Sequence, residues 1–409
     1  MTIEIRTITP DEFTAWVEAL HVPFFMTIPA GPAAEARRPH TDLGRVLGAF
    51  DGAHVVGTWR SFASSIAVPG STSIAADAVS MVTTLPTHRR RGVLTGMMTS
   101  GLQAAAARGE PVSILIASEY PIYGRFGYGP AAENAAYRID TREVRFRPGR
   151  GTDGTVELVT GGELRELAPL IFERFRLAQP GAISRRDVWW DIDLSLVEMP
   201  GHERWKGWCV VMRGTDGVAD GFARYHAEEK WDEGRPQSTI FVDDLVAATP
   251  AAYARLWRFI CEMDLVTTVR ADGRSVDEAL PWLLEDARAM RQTTRSDYLW
   301  LRVLDVGRAL ASRRYLAEGR LVLEVEDPAG FAAGRYLLEG GPDGADCRAT
   351  NDEPDLCLPV ASLGALYLGG PTARLLTAAG LIEERRRDGV RRADAMFRSA
   401  VTPWCNTHF

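Results

Sequence analysis

The sequence lacks the long apolar runs and the paired cysteines that mark membrane proteins and disulfide-rich proteins. No 18 consecutive apolar residues occur in its 409 residues, so no transmembrane helix is predicted. Its five cysteines form no C-x-x-C motif and its seven histidines are scattered, so neither a disulfide framework nor a metal site is predicted. The first residues contain no apolar segment of the kind that directs secretion. We therefore expect a cytoplasmic protein.

A basic excess is missing as well. The chain has 47 Lys and Arg residues against 54 Asp and Glu residues, and the net charge of −7 gives no indication of a nucleic-acid partner. Lysine itself is scarce, since Lys206 and Lys230 are its only two occurrences. Hydrophobic residues at 46% and charged residues at 25% are typical of folded globular proteins. At about 150 residues per domain, the length predicts two or three domains.

The apolar pattern of the first part alternates between strand and helix periods. It predicts a strand, a helix, two strands joined by a turn at Asp51-Gly52, a strand, a helix and a buried strand. These segments are residues 3–8, 9–20, 46–50, 55–67, 78–84, 92–108 and 111–117. The same order recurs after a Gly-, Pro- and charge-rich linker at 145–154, which predicts a duplicated unit. A third segment begins near Asp297 with the strand YLWLRVLDV.

One turn stands out for its chemistry. Residues 79–95 predict a strand, a basic glycine-containing turn and a helix start, and no acidic residue occurs from Ala78 to Gly109. Backbone N–H groups at a helix N-terminus, with arginines beside them, are suited to a pyrophosphate group. A basic turn of this kind is also common as a simple solvent-exposed turn, so the turn alone leaves both interpretations open.

Spacing strengthens the first interpretation. Arg89-x-x-Gly92-x-Leu94 is similar to the Q/R-x-x-G-x-G/A turn of the GNAT acyltransferases, with Leu94 in place of Gly or Ala. About 30 residues later, Tyr123-x-x-x-Gly127 followed by an aromatic residue matches the second GNAT motif. In that fold the tyrosine lies beside the thioester sulfur and can protonate the leaving thiolate. A tyrosine taken alone is more commonly a buried aromatic with a satisfied hydroxyl.

More specifically, the chain resembles the Eis (enhanced intracellular survival) acetyltransferases. The segments LPTHRRRGVLTGMM, ASEYPIYGRFGYGPA, DYLWLRVLDV and LGALYLGG, and termination at Phe409, extend the resemblance along nearly the whole chain. It implies an α+β fold with two tandem GNAT-like mixed-sheet domains followed by a sterol-carrier-protein-like α/β domain. The implied division is a catalytic GNAT domain (1–147), a degenerate GNAT-like domain (148–296) and the sterol-carrier-like domain with the C-terminal carboxylate (297–409). It also implies a homohexamer.

The resemblance assigns site residues too. It implies acetyl-CoA as acyl donor, no metal, and donor contacts at Val82, Thr83, Thr84, Arg90, Arg91, Gly92, Val93, Leu94, Thr95, Ser118 and Glu119. The general acid falls on Tyr123, and the general base falls on the terminal carboxylate of Phe409. An unsupported C-terminus is more often frayed than functional. Residues 403–409 are however aromatic and nearly uncharged, which predicts that they are buried.

The corresponding turn of the second unit, residues 247–253, has neither glycine nor arginine, so the second domain is expected to act as a scaffold that binds no CoA. The implied reaction is acetyl transfer to a primary amine by direct attack. Eis members that act on polycationic aminoglycosides place acids where this chain has His408 and, loosely, residues 24–27, so aminoglycosides are expected to be poor substrates. Asp42 or Glu119 can replace those charges, although a surface role is more common for such acids.

A non-enzymatic function is the alternative. The chain can be a scaffold, or can bind an apolar ligand in its sterol-carrier-like domain, with the GNAT site left as a remnant. A decayed site is expected to lose some of its functional residues, as the second unit has. Here Arg90, Gly92, Ser118, Tyr123 and Phe409 are all intact, which favours the enzyme.

Overall fold

The computed structural model describes residues 3–409. The first part of the chain forms six strands and four helices, in the order predicted from the apolar pattern. They are β1 (Glu4–Thr7), α1 (Phe13–His21), α2 (Ala30–Arg37), β2 (Val46–Asp51), β3 (His54–Val68), β4 (Thr72–Thr84), α3 (Val93–Ala107), β5 (Val112–Ile116), α4 (Tyr120–Tyr123) and β6 (Gly129–Asp140). The helix predicted at 92–108 is confirmed as α3, in which Met97, Met98, Leu102 and Ala105 are buried on one face at the 3–4 spacing of a helix.

The second part repeats this arrangement. Its elements are β7 (Thr155–Val159), α5 (Gly161–Ala178), α6 (Asp187–Asp193), β8 (Trp208–Arg213), β9 (Ala219–Glu228), β10 (Trp231–Asp232), β11 (Arg235–Pro236), β12 (Ser238–Ala247), α7 (Pro250–Cys261), β13 (Val266–Arg274), α8 (Leu280–Leu283) and β14 (Met290–Val303). Helix α5 begins with the capping box of Thr160 and Glu163.

The third part contains a separate five-stranded sheet, in the order β17-β16-β15-β18-β19. Its elements are α9 (Val306–Ala311), β15 (Gly319–Glu326), β16 (Gly334–Gly341), β17 (Gly344–Ala349), β18 (Leu356–Pro359), α10 (Val360–Leu366), α11 (Ala373–Ala378), β19 (Glu383–Glu384) and α12 (Gly389–Phe397). Helix α10 packs so closely on β14 that a Cβ at Gly364 would lie 2.2 Å from the Leu301 carbonyl oxygen.

The first two parts share one 12-stranded mixed sheet. Its strand order is β1-β2-β3-β4-β5-β14-β6-β13-β12-β9-β8-β7. Strand β6 pairs antiparallel with both β14 and β13, so the two parts meet inside a continuous sheet. No helix in residues 3–409 has both the length and the apolar character needed to cross a membrane.

Strand β14 crosses one of the expected domain boundaries. The predicted domain boundary between residues 296 and 297 falls inside this unbroken strand. Residues 299–303 of β14 pair with β5, so the segment assigned to the third domain completes the sheet of the first. Burial explains why β14 lies between β5 and β6 in the sheet, because Leu299 and Leu301 are fully buried on one face and Trp300 is 2% exposed on the other.

Candidate active site

An opening forms where β4 and β5 diverge. Their parallel pairing ends at Val79 and Leu115, whereas β4 continues through Thr84. Met81 has φ of +55°, in the left-handed region, and the pairing of β4 with β3 shifts register nearby. The edge of residues 82–84 that faces β5 is therefore outside any ladder that the structure describes, and an extended amide chain can pair with it.

The start of α3 lies beside this opening. Gly92 is the N-cap and has φ of +80°, a conformation that favours glycine. The first-turn N–H groups of Val93, Leu94 and Thr95 have no carbonyl partner within the helix, and that turn contains no acid. A helix of 15 residues with such a first turn can bind an anion.

Arg90 and Arg91 differ in their surroundings, although both are exposed. The Arg91 guanidinium lies 3.4 Å from Asp51 Oδ2, and His88 Nε2 lies 3.2 Å from the same oxygen. The hydrogen bond from His88 and the charge of Arg91 hold the pKa of Asp51 below its ordinary value. Within residues 3–409 Arg90 has no ion pair. Asp51 was not predicted as a partner of this turn because it is the last residue of β2, 40 residues before Arg91 in the chain.

Tyr123 is the last residue of α4, and its side chain is buried. Its ring packs edge-to-face with Tyr128 at a centroid distance of 6.2 Å, and the Tyr128 hydroxyl lies 2.7 Å from that of Ser113. Among residues 3–409 the Tyr123 hydroxyl has no hydrogen-bond partner. Burial, aided by the charge of Glu119, raises the pKa of Tyr123 to about 12. The hydroxyl is thus protonated at neutral pH and available as a donor.

The C-terminal segment is fixed by side chains from the second part. Arg185 pairs with Asp244 at 2.5 Å and donates to Thr407 Oγ1 at 3.0 Å and to the Asn406 carbonyl at 2.9 Å. The predicted burial is confirmed for Trp404, Cys405 and Thr407, which are at most 5% exposed. It is wrong for His408, which is exposed, while Asn406 and Phe409 are half-buried. The Phe409 ring packs edge-to-face on Phe62 at 5.7 Å. These contacts hold Asn406, Thr407 and the Phe409 ring in place.

One cavity of about 650 Å³ brings these features together. Val82, Ser118, Tyr123 and Phe409 all line it. The other predicted site residues lie outside its wall, where they continue β4, form the turn into α3 or follow β5. They are Thr83, Thr84, Arg90, Arg91, Gly92, Val93, Leu94, Thr95 and Glu119. The open edge of β4 and the turn into α3 therefore lie next to a cavity that Tyr123 and Phe409 line.

Comparisons with known proteins agree with this geometry. Models described as Acetyltransferase (GNAT) domain match residues 4–131 and 181–303, and a Sterol carrier protein domain model matches residues 306–406. The N-acetyltransferase Eis of Mycobacterium bovis is 36% identical over 87% of this chain and 86% of its own length. The chain belongs to the Eis family. The predicted family, enzyme class and fold are thereby confirmed: it is a GNAT-type acetyltransferase with two GNAT domains and a sterol-carrier-protein domain.

Further relatives cover the whole chain. An uncharacterized N-acetyltransferase of Streptomyces griseus is 43% identical over 99% of both chains. The crystal structure of Eis1 from Mycobacterium abscessus matches 99% of this chain and 100% of its own with a TM-score of 0.86 at 32% identity.

Much of the cavity wall of this Eis-family protein was not found from its sequence. Four arginines line the cavity, whereas Asp193 is the one acidic residue among its lining residues. Asp193 is half-exposed, and its carboxylate lies 3.7 Å from the guanidinium of Arg224. Asp42 lines a neighbouring cavity of about 250 Å³, and Glu119 lines neither. The arginines are Arg37, Arg60, Arg185 and Arg186, from α2, β3 and the segment before α6. No local motif connects these positions, so no sequence signal was available.

The second GNAT domain has a filled opening. Arg274 donates to the Leu245 carbonyl at 2.8 Å across the gap after the β12–β13 pairing, and its guanidinium pairs with Glu278 at 2.9 Å. At the start of α7, Thr249 Oγ1 already accepts from the Ala252 N–H. Side chains of the protein therefore occupy both the gap between β12 and β13 and a helix-start donor in this domain.

Proposed function

We propose that this Eis-family acetyltransferase uses acetyl-CoA as its donor and acetylates a primary amine by direct attack. The observation that carries the proposal is the single cavity in which the β4–β5 opening, Tyr123 and Phe409 meet. Donor binding is assigned to the β4 edge at 82–84, to Ser118 and Glu119 after β5, and to the α3 start. There, residues 90–95 offer two guanidinium groups and backbone N–H groups to the pyrophosphate.

The chemistry divides between two groups of this chain. Acetyl-CoA supplies the acetyl thioester. The Phe409 carboxylate takes one proton from the acceptor ammonium, and the amine nitrogen then bonds to the carbonyl carbon. As the carbon–sulfur bond breaks, the nitrogen releases its second proton to water. Tyr123 donates its proton to the departing sulfur, and its raised pKa means that the hydroxyl is protonated at neutral pH before this step. Tyr123 regains a proton from water after the thiol has formed. The products are an acetamide and CoA thiol.

Thiol release tests the proposal directly. The protein is incubated with acetyl-CoA and a panel of primary amines, thiol is measured with a chromogenic disulfide, and the acetylated amine is identified by mass. Amine-dependent thiol release with a matching acetamide supports the proposal. Absence of thiol release with every amine, together with saturable binding of an apolar ligand, favours the alternative of an apolar-ligand-binding scaffold.

Arg90→Ala is expected to weaken CoA binding more than Arg91→Ala. A charge-assisted phosphate contact contributes about 1.5–3 kcal/mol, so loss of Arg90 is expected to raise the Kd about tenfold or more. Arg91 already pairs with Asp51, so its loss costs less. Calorimetry of CoA binding checks this, with Arg38→Ala, a substitution of an exposed arginine on another element, as control. Equal Kd values for all variants and wild type contradict the assignment.

Calorimetry is also expected to give one CoA site per chain. The first domain has the open β4 edge and the uncapped α3 start, while Arg274 and Thr249 fill the equivalent places in the second. A stoichiometry of two contradicts this prediction.

The division at 1–147, 148–296 and 297–409, the homohexamer and the cytoplasmic location stay predictions. Light scattering of the purified protein is expected to give six times the chain mass of 45.0 kDa.

A further inference from the structure

Three arginines of the cavity wall have no anionic partner in residues 3–409. Arg37 ends α2, Arg60 lies on β3, and Arg186 precedes α6; none of them makes an ion pair. Arg60 Nε and Arg37 Nη1 are buried atoms, and neither donates a hydrogen bond to the protein. Arg186 donates a hydrogen bond to the His40 carbonyl at 2.6 Å, but this neutral acceptor leaves the charge of Arg186 unpaired.

These charges also oppose one another. Burial, together with repulsion from Arg186 and Arg37, lowers the pKa of Arg60 to about 10. Arg185 differs from the three, because Asp244 neutralises it at 2.5 Å. The three arginines are half-buried, and a cation that is partly withdrawn from water without a partner is ordinarily matched by an anion. Within residues 3–409, no carboxylate pairs with Arg37, Arg60 or Arg186, so these three charges are available to an anion from outside the chain.

Phe62 connects the arginines to the proposed reaction centre. The guanidinium carbons of Arg60 and Arg186 lie 5.8 and 5.6 Å from its ring centroid. The Phe409 ring contacts the same Phe62 at 5.7 Å, and Trp189 packs on it at 5.3 Å. Arg60, Arg186 and the Phe409 ring therefore all contact one aromatic ring, which connects the arginines to the part of the cavity that Phe409 lines.

We infer that the acceptor is a primary amine with a carboxylate or phosphate group, and that Arg60, supported by Arg37 and Arg186, binds this group. The inference rests on the proposed acetyl transfer. A guanidinium can bind either oxyanion with two parallel hydrogen bonds. The α3 start, which is assigned to the CoA pyrophosphate, is a different element from all three arginines.

The same charges act against polycations. Each additional ammonium group of an aminoglycoside meets guanidinium groups, and the one acid on the wall, Asp193, already faces Arg224. His408 adds no anion, and partial withdrawal from water lowers its pKa below the ordinary value. Aminoglycosides are expected to be poor substrates, as the sequence predicted, with kcat/KM at least tenfold below that of the best anionic amine.

Matched substrate pairs test the inference. Phenylalanine and phenethylamine differ by a carboxylate, and O-phosphoethanolamine and ethanolamine differ by a phosphate, so the two pairs distinguish the two anions. In wild type, at least one anionic member is expected to exceed its neutral twin at least tenfold in kcat/KM. In Arg60→Gln that ratio is expected to fall to about one, with Arg60→Lys in between and CoA affinity unchanged. Arg38→Gln, an exposed arginine with the same charge change, is the control.

Stability separates binding from a structural role. Arg60→Gln removes a repelled, unpaired charge, so its thermal midpoint is expected to stay level or rise; a fall combined with an unchanged substrate ratio overturns the inference. Arg37→Gln, on another element, is expected to reduce the same ratio. Thiol release with neutral amines that equals or exceeds that with anionic twins overturns the inference but leaves acetyl transfer standing. No thiol release with any member of either pair overturns both.

Discussion

Tyr123→Phe is expected to lower kcat by about 10²–10⁴-fold, the usual contribution of a positioned acid. The substitution removes only a hydroxyl that has no protein partner in residues 3–409 and that opens on the cavity shared with Phe409. The buried ring and its edge-to-face contact with Tyr128 are retained, so the fold and the CoA affinity are expected to be unchanged. Steady-state kinetics and calorimetry measure the two quantities separately.

Tyr120→Phe is the matched control. Tyr120 begins the same helix, is 61% exposed and packs its ring on Trp300 at 4.9 Å. Its hydroxyl does not line the cavity, so kcat is expected to stay within about twofold of wild type. Equal kcat values for wild type and Tyr123→Phe rule out Tyr123 as the acid.

Local patterns were sufficient to predict the turn and the helix start to which donor binding is assigned in the proposal. The spacing of Arg89, Gly92 and Leu94 predicted a turn into a helix, and Gly92 is the N-cap of α3. The physical reason is that caps, turns and apolar periods are set by residues within a few positions of one another. The missing glycine and arginine in residues 247–253 likewise indicated a second domain that binds no CoA.

Such local patterns could not predict contacts between residues that are distant in the sequence. Arg37, Arg60 and Arg186 lie on three elements and meet in space through the fold alone. The position of β14 between β5 and β6 was not predictable for the same reason. An apolar strand can pair with any open sheet edge, and its own sequence does not determine which strand it pairs with. Arg274 shows this as well, since the sequence shows what the second opening lacks but not what fills it.

The second large effect on kcat is expected when the Phe409 carboxylate is displaced. Adding one glycine after Phe409 moves the charge by about 3.5 Å along the chain. A base acts within hydrogen-bond reach of the proton it takes or through one water, so kcat is expected to fall by about 10²–10⁴-fold. The contacts of Arg185 with Asn406 and Thr407 precede the added residue, so the segment is expected to stay in place.

Two further variants separate charge from packing. Deleting Phe409 removes both the carboxylate position and the ring that packs on Phe62 at 5.7 Å, so its effect on kcat does not identify the base. Amidation of the Phe409 carboxyl group neutralises the charge without adding a residue and keeps the ring. Both the glycine extension and the amide are therefore expected to lower kcat while CoA affinity and thermal midpoint stay level. If both retain the full kcat, the terminal carboxylate is not the base, and Glu119 or a water molecule must take the proton from the amine.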